Sequence, residues 1–473
     1  MADQAENRIF TQNEVLRTLA DVITHHMPFK DVEAVLRSGV DVNGSVHKGL
    51  RPLHYAAYEN NTQVMEVLMS HGAQVNAGDD VGYTALHIAS KYGNLRALKH
   101  LLRSGAVVNF LEEDSGGPPG SQVLAELTVN PLSLALEENH PECADALLAA
   151  GANANQTYFL GSELTLVPMK HTRCIEVLLA HGADANSYTR SGMTALMRAC
   201  REQHLATVKA LISYGADVNL TCLPKIEQKR AIHFASIVGD VDITKALIDA
   251  GADLGKPDSF GYTPLEFAIS TEKVEICRML LENGANPNEV NDDDVSPMQI
   301  ASSTPDLRQT KQLLELLLEH GALPNYSRQN FSYSLPCLTP LIEYFVYQVD
   351  YDVEIVRMLL SYGADVNFAL PTRLVRIKDN CGVLVQVSKL KDREDIFTLL
   401  VNAAKSFNET EIRKDRSMTA EQKEVLLEEA VCPRPLRHLV RLWLRNFLSK
   451  PIPPKIKKLP LPPFLVNYLL FQN

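Results

Sequence analysis

The sequence predicts an all-α solenoid of stacked helix-turn-helix repeats, followed by a small helical module of different chemistry. Three observations carry this expectation. A short glycine phrase recurs along most of the chain, a second phrase precedes it at a nearly constant distance, and the charge reverses sign from Val431 onward.

The glycine phrase, Gly-Ala-x-x-Asn or a near variant, stands at 39–43, 72–76, 105–109, 151–155, 182–186, 215–219, 251–255, 284–288, 321–325 and 363–367, and many of the intervals are 33 residues. The second phrase reads RPLH (51–54), TALH (84–87), NPLS (130–133), TALM (194–197), RAIH (230–233), TPLE (263–266), SPMQ (296–299) and TPLI (339–342). In six of these eight cases it starts 21 residues before the glycine. Thr or Ser ahead of Pro-Leu caps a helix, and Pro in the first turn loses no hydrogen bond there. Segments such as VMEVLMSHG and IVRMLLSYG place apolar residues on one helical face and end at a glycine able to take a left-handed C-cap. One such unit cannot bury both its faces, so units must stack.

These phrases resemble the ankyrin repeat over about residues 30–370, with eight to ten repeats. Residues 156–186 offer no clear first-helix phrase, Gly255 replaces the usual Asn, and 372–408 reads as a worn terminal repeat. The recurring Asn and His are read as turn and cap residues rather than ligands. The boundaries expected are an N-terminal helical cap with a first partial repeat (1–46), the ankyrin repeats (47–370), a degenerate repeat and connector (371–429) and the terminal module (430–473).

Composition narrows the function classes. The chain has 473 residues, 45% of them apolar and 22% charged, as in ordinary globular proteins. No apolar run approaches the ~18–20 residues of a membrane helix, and MADQAENRIF has no signal-peptide character. Eight cysteines lie singly at 143, 174, 200, 222, 277, 337, 381 and 432, with no CxxC, which points to reduced thiols in the cytoplasm or nucleus. The net charge of −11 conceals +8 from Val431 onward and −19 before it. So acidic a body excludes broad phosphate-backbone binding and favours a basic partner. Neither a catalytic motif nor a metal-ligand spacing is found, and no cofactor is expected.

Insertions interrupt the period at 112–122, at the acidic 290–294, and at 326–351, which holds seven aromatics. Loop insertions in solenoids often mark the binding face. Tyr326, Phe331 and Tyr333 are therefore the expected substrate contacts, against the plainer reading that these aromatics pack an irregular repeat.

A charged connector follows, with a cap expected at Thr419 and Gln422. In CPRPLRHLVRLWLRNFL (432–448), Leu436, Leu439, Val440, Trp443, Leu444, Phe447 and Leu448 fall on one helical face. Arg437, Arg441 and Arg445 stand opposite, where a solvated face is expected. A prolyl break (KPIPPKIKK), LPLPP and a last short helix beginning at Pro463 complete the chain.

This segment resembles a SOCS box. Its first half is similar to the elongin-binding box, with Val440 where the family usually has Cys, itself a small hydrophobe when buried. The resemblance implies elongin contact through Leu436, Leu439, Val440, Trp443 and Leu444. Leu459, Pro460, Leu461 and Pro462 match the Leu-Pro-x-Pro of the cullin box and imply docking to a cullin of the fifth type with its RING subunit. Ankyrin repeats before a SOCS box resemble the ankyrin repeat and SOCS box family. Membership implies a non-catalytic substrate receptor of a ubiquitin ligase that binds elongin B, elongin C, the cullin and a protein substrate. The competing reading is a scaffold or inhibitor whose tail only caps the solenoid.

Overall fold

In the computed structural model of the chain the described residues are 12–25, 29–109, 130–223, 227–325, 339–366, 390, 392–404, 409–414, 418–431, 441, 452–459 and 461–471. They divide into two compact units, Met1–Ile226 and Glu227–Asn473. The first unit holds the helix pairs Gln12–Thr24 with Phe29–Leu36, Pro52–Tyr58 with Thr62–Ser70, Ala85–Lys91 with Leu95–Arg103, Pro131–Glu137 with Pro141–Ala149, Glu163–Leu166 with Thr172–Ala180, and Ala195–Arg201 with Leu205–Ser213. The second holds Ala231–Val238 with Val241–Asp249, Pro264–Ser270 with Val274–Glu282, Pro297–Ser302 with Leu307–Glu319, and Pro340–Tyr347 with Val353–Ser361. Helices Glu394–Ala403, Glu409–Lys414, Ala420–Val431, Ile452–Lys457 and Pro463–Leu469 follow.

Each pair ends in one of the glycine phrases. All ten of those glycines adopt φ between +83° and +97°, the left-handed region that an L side chain resists. The second residue of each first helix is the Leu, Ile or Met of the other phrase: Leu53, Leu86, Leu132, Leu196, Ile232, Leu265, Met298 and Leu341 are all buried. Each such side chain contributes about 1.5–3 kcal/mol on burial. The phrase thus places a helix start and a core anchor together.

The recurrent His, read as cap residues, do cap. His54, His87 and His233 accept through Nδ1 from the backbone N–H of Arg51, Thr84 and Arg230, at 3.0, 3.1 and 3.0 Å. Glu266 and Gln299 do the same in their repeats, accepting from Thr263 N–H at 2.7 Å and Ser296 N–H at 2.8 Å.

The recurrent Asn reach further than a local turn. Asn43 donates to the Gly72 carbonyl at 3.0 Å and accepts from Gln74 N–H at 2.8 Å. Asn76 donates to Gly105 at 3.2 Å and accepts from Val107 N–H at 2.8 Å. Asn109, Asn155, Asn288 and Asn325 repeat this double bond with the glycine turn of the following repeat. The Asn is a bridge between repeats, which corrects its reading as a turn residue within one. At Gly255 the bridging side chain is missing.

Two more expectations change. Residues 156–186 do contain a first helix, but only the four residues Glu163–Leu166, entered from a hairpin of two short strands, Thr157–Tyr158 and Gly161–Ser162. Leu164 is buried as the other anchors are. In the aromatic-rich insertion the described part packs: Tyr344, Phe345 and Tyr351 are buried with ring centroids 5.2–6.1 Å apart, while Tyr347 is exposed. Tyr326, Phe331 and Tyr333, and the loop 112–122, lie outside the described residues. Of the acidic loop, Asp292 and Asp293 face solvent, and Asn291 is buried and accepts from the N–H of Asp293 and Val295 at 3.0 Å each.

Replacing Asn76 by Ala removes both bridging bonds and should cost about 2 kcal/mol. A lower urea midpoint and faster hydrogen exchange at the Val107 amide would show it, and an unchanged midpoint and exchange rate would refute the bridge. Gly255→Asn, in a site where an added Cβ meets nothing closer than 3.8 Å, should raise the midpoint.

Burial pushes the Glu266 carboxyl up to about 7 from 4.5, and its Oε1 has no hydrogen-bond partner among the described residues. Below pH 4.5 the group is protonated in both folded and unfolded chains. As pH rises to about 7 the unfolded chain ionises first, so stability falls across that window. Glu266→Gln should remove this group's contribution to the fall, measured by urea unfolding at pH 5 and pH 8; an unaltered pH dependence would contradict it.

Candidate functional site

Beyond the repeats, helix Ala420–Val431 begins with the expected reciprocal cap: Gln422 Oε1 accepts from Thr419 N–H at 3.1 Å and Thr419 Oγ1 from Gln422 N–H at 3.2 Å. Leu426 is fully buried on this helix. The prolyl break expected over KPIPPKIKK is instead helix Ile452–Lys457. Pro453 and Pro454 sit in its first turn, where the backbone N–H groups have no helical acceptor and their loss costs nothing.

Ile456, on this helix, packs with Leu469 and Leu470 into a small core, and Leu461 and Val466 lie against it. Leu461 N–H donates to the Leu459 carbonyl at 2.8 Å, and Pro462 continues extended, at φ −57° and ψ 146°. Pro463 then opens helix Pro463–Leu469, as expected from its position. Of the four residues assigned to the cullin box, Leu459 and Leu461 are half-buried, Pro462 is exposed and Pro460 lies outside the described residues. The side chain of Leu461 therefore also serves the segment's own core.

Among its described residues, the segment presents outward the start of its last helix. Phe464 is 70% exposed and Leu465 36%, beside the exposed Pro462 and Pro463. The cullin-box assignment stops at Pro462, although the apolar stretch 459–471 as a whole is expected to face a partner. A signal existed: PFLVNYL is apolar nearly all round, and so short a helix cannot bury every face against one neighbour.

Arg441 corrects another expectation. It is buried, with its guanidinium 3.5 Å above the Tyr468 ring and 4.6 Å from that of Phe471. Guanidinium is weakly hydrated and stacks on aromatic faces, so position opposite an apolar helix stripe did not make this Arg solvent-facing. Leu436, Leu439, Val440, Trp443 and Leu444, assigned to elongin, lie outside the described residues, as do Arg437 and Arg445.

Burial pushes the thiols of Cys143 and Cys174 up to about 11 and that of Cys277 up to about 12, away from nucleophilic thiolate. No cluster of three or more His, Cys, Asp or Glu suited to a metal ion occurs among the described residues, and none of their helices is long and apolar enough to cross a membrane.

Comparison with known proteins places both parts. Residues 23–111, 164–222 and 223–291 match the family described as ankyrin repeats (three copies), and residues 432–470 match the SOCS box. Among solved structures, the crystal structure of the human ASB11 ankyrin repeat domain aligns at 27% identity, covering 50% of this chain and 100% of its own, with a TM-score of 0.40. With ankyrin repeats in its body and a SOCS box over 432–470, the chain belongs to the ankyrin repeat and SOCS box proteins.

Proposed function

We propose that this chain is the substrate-recognition subunit of an elongin–cullin–RING ubiquitin ligase, working in the cytoplasm and recruiting proteins for ubiquitination and proteasomal degradation. The observation that carries the reading is the SOCS box at 432–470 behind the ankyrin array. A SOCS box implies binding of elongin B, elongin C and a cullin–RING complex; the cullin is proposed to be of the fifth type. The chain needs no catalytic group of its own. It raises the effective concentration of a substrate lysine near a charged conjugating enzyme, and the covalent steps belong to the other subunits.

Leu436, Leu439, Val440, Trp443 and Leu444 are proposed to enter elongin C, and Leu459 to Pro462 to meet the cullin, with Phe464 and Leu465 added from their exposure. A proline-rich segment loses less conformational entropy on docking than a flexible one. On the repeat body, Tyr326, Phe331 and Tyr333 are proposed for substrate, with the acidic 290–294 nearby in sequence favouring a basic partner.

Leu436→Asp places a charge in an apolar pocket and should abolish elongin recovery, since hot-spot losses reach roughly 2–4 kcal/mol. Undiminished elongin recovery from that variant would sink the assignment.

Phe464→Asp should spare elongin and weaken cullin recovery, because Phe464 takes no part in the small core of Ile456, Leu469 and Leu470. Leu461→Ala, which touches that core, should lower thermal stability as well as cullin recovery. Equal loss of elongin and cullin from Phe464→Asp would show that the two surfaces are not independent.

A further inference from the structure

The repeat whose first helix is cut short differs from the others in a way that leaves room. Helix Glu163–Leu166 has four residues where Pro131–Glu137 and Ala195–Arg201, in the flanking repeats, have seven each. Val167 follows it in extended backbone, at φ −54° and ψ 136°, and leads to Pro168. The Thr165 carbonyl at this blunt end accepts from Arg198 Nη1. In the preceding repeat, Ser133 occupies the capping position held by His54, His87 and His233 elsewhere, so a ring is missing on that side too.

The result is a pocket of about 230 Å³ lined by Ser133, Leu136 and Glu137 from one helix, Leu160 from the hairpin, and Glu163, Leu166, Val167 and Pro168. That is room for one long side chain rather than for a drug-sized ligand, whose sites run to about 300–1,000 Å³. Its walls are mostly apolar. Its polar groups are a hydroxyl and two carboxylates, with no cation among the lining residues.

Glu163 is a built feature of this site rather than a stray surface acid. It is buried, and its Oε1 accepts from Ser133 Oγ at 2.7 Å and from Tyr158 Oη, which itself lies 3.0 Å from Ser133 Oγ. Burial pushes its carboxyl up to about 7 against those two hydrogen bonds, so the site lacks the positive charge that would hold it ionised. Glu137 is exposed at the rim. Beside the pocket the hairpin turn presents Phe159, 71% exposed under the Arg190 guanidinium at 3.5 Å, and Leu160, 54% exposed.

We propose that this pocket is a docking site for a basic side chain, Arg or Lys, in a segment of the protein recruited by the repeats. The aliphatic stem of such a side chain lies along Leu136, Leu160 and Leu166 and its head meets Glu163 and Glu137. The exposed Phe159 and Leu160 flank the same segment with apolar contact. This names a substrate class and rests on the receptor reading above, yet it uses a surface separate from 326–351 and from the SOCS box.

The test uses the full chain co-expressed with elongin B and elongin C, panned against a library of random dodecapeptides displayed on phage, with affinities of enriched peptides measured by fluorescence anisotropy. The expected result is a consensus holding Arg or Lys at one fixed position. Glu163→Gln, which keeps the shape and the acceptor oxygen, and Glu137→Lys, an exposed change, should each weaken those peptides at least roughly tenfold. Glu66→Lys, equally exposed on another helix, controls for general attraction to an acidic body and should leave affinity within about twofold, as a distant surface charge does. No enriched peptide, a consensus without a basic position, or equal weakening by all three variants would overturn the proposal. Elongin recovery from each preparation is read separately: its loss counts against the receptor reading, and its retention with unaltered peptide binding in Glu163→Gln and Glu137→Lys counts against the pocket alone.

Discussion

The amide of the asparagine that closes a glycine phrase both donates to and accepts from the next repeat's turn, so adjacent repeats are held at one spacing by two hydrogen bonds to backbone. Each bond alone is worth about 1 kcal/mol. Their importance is geometric. A repeat has an apolar side facing each neighbour, and hydrophobic burial is non-directional, so something must fix the register at which buried Leu and Ile meet. The Asn does this between repeats, while the capping His does it within one and, for His54, also reaches the next repeat's Tyr83 carbonyl at 2.8 Å. Insertions between repeats are then tolerated as long as the two ends of the bridge survive. Asn109 still reaches the Gly151 carbonyl across 42 residues of sequence, where Asn76 spans 29 to Gly105.

Stacked repeats with insertions between them suit recognition, and a terminal segment of opposite charge with its own small core suits attachment to something else. The two demands are separated along the chain. The repeats turn most of their apolar residues inward, with exceptions such as Phe159, Leu160 and Tyr347. Among the described residues after Val431, Phe464 and Leu465 stay in water beside the small core of Ile456, Leu469 and Leu470. Such a surface is expensive unless a partner covers it. The shortened helix Glu163–Leu166 is the complementary case inside the array, where a lost turn leaves a pocket with a carboxylate in its wall instead of an exposed patch.

Much of this was legible in the sequence because it rests on local backbone needs. A glycine at each second-helix end, Pro at five of the ten first-helix starts and the Thr419–Gln422 cap are demands of single turns, and they repeat or stand alone in recognisable form. The Asn bridge was only half legible: its recurrence was plain, but its partner lies about a repeat away and sequence carries no distances. The helix Glu163–Leu166 was missed because Ser162-Glu163-Leu164-Thr165 keeps the Ser and the buried Leu of the usual phrase but has Glu for its Pro or Ala and Thr for its His. Arg441 misled because a helical wheel assigns charge to water without knowing that Tyr468 and Phe471 return to cover it. Of the aromatics in the 326–351 insertion, Tyr344, Phe345 and Tyr351 serve packing, which composition alone does not separate from binding.

The central claim is that one part of the chain holds cargo while a distinct part holds the ligase. Affinity purification of the full chain beside a deletion of 432–473, with quantitative mass spectrometry of both, tests it most directly. The account predicts that elongin B, elongin C and the cullin vanish from the deletion while a set of other proteins is retained, and accumulates further when the proteasome is inhibited. Recovery of elongin by the deletion, or loss of every other partner together with it, would contradict the account.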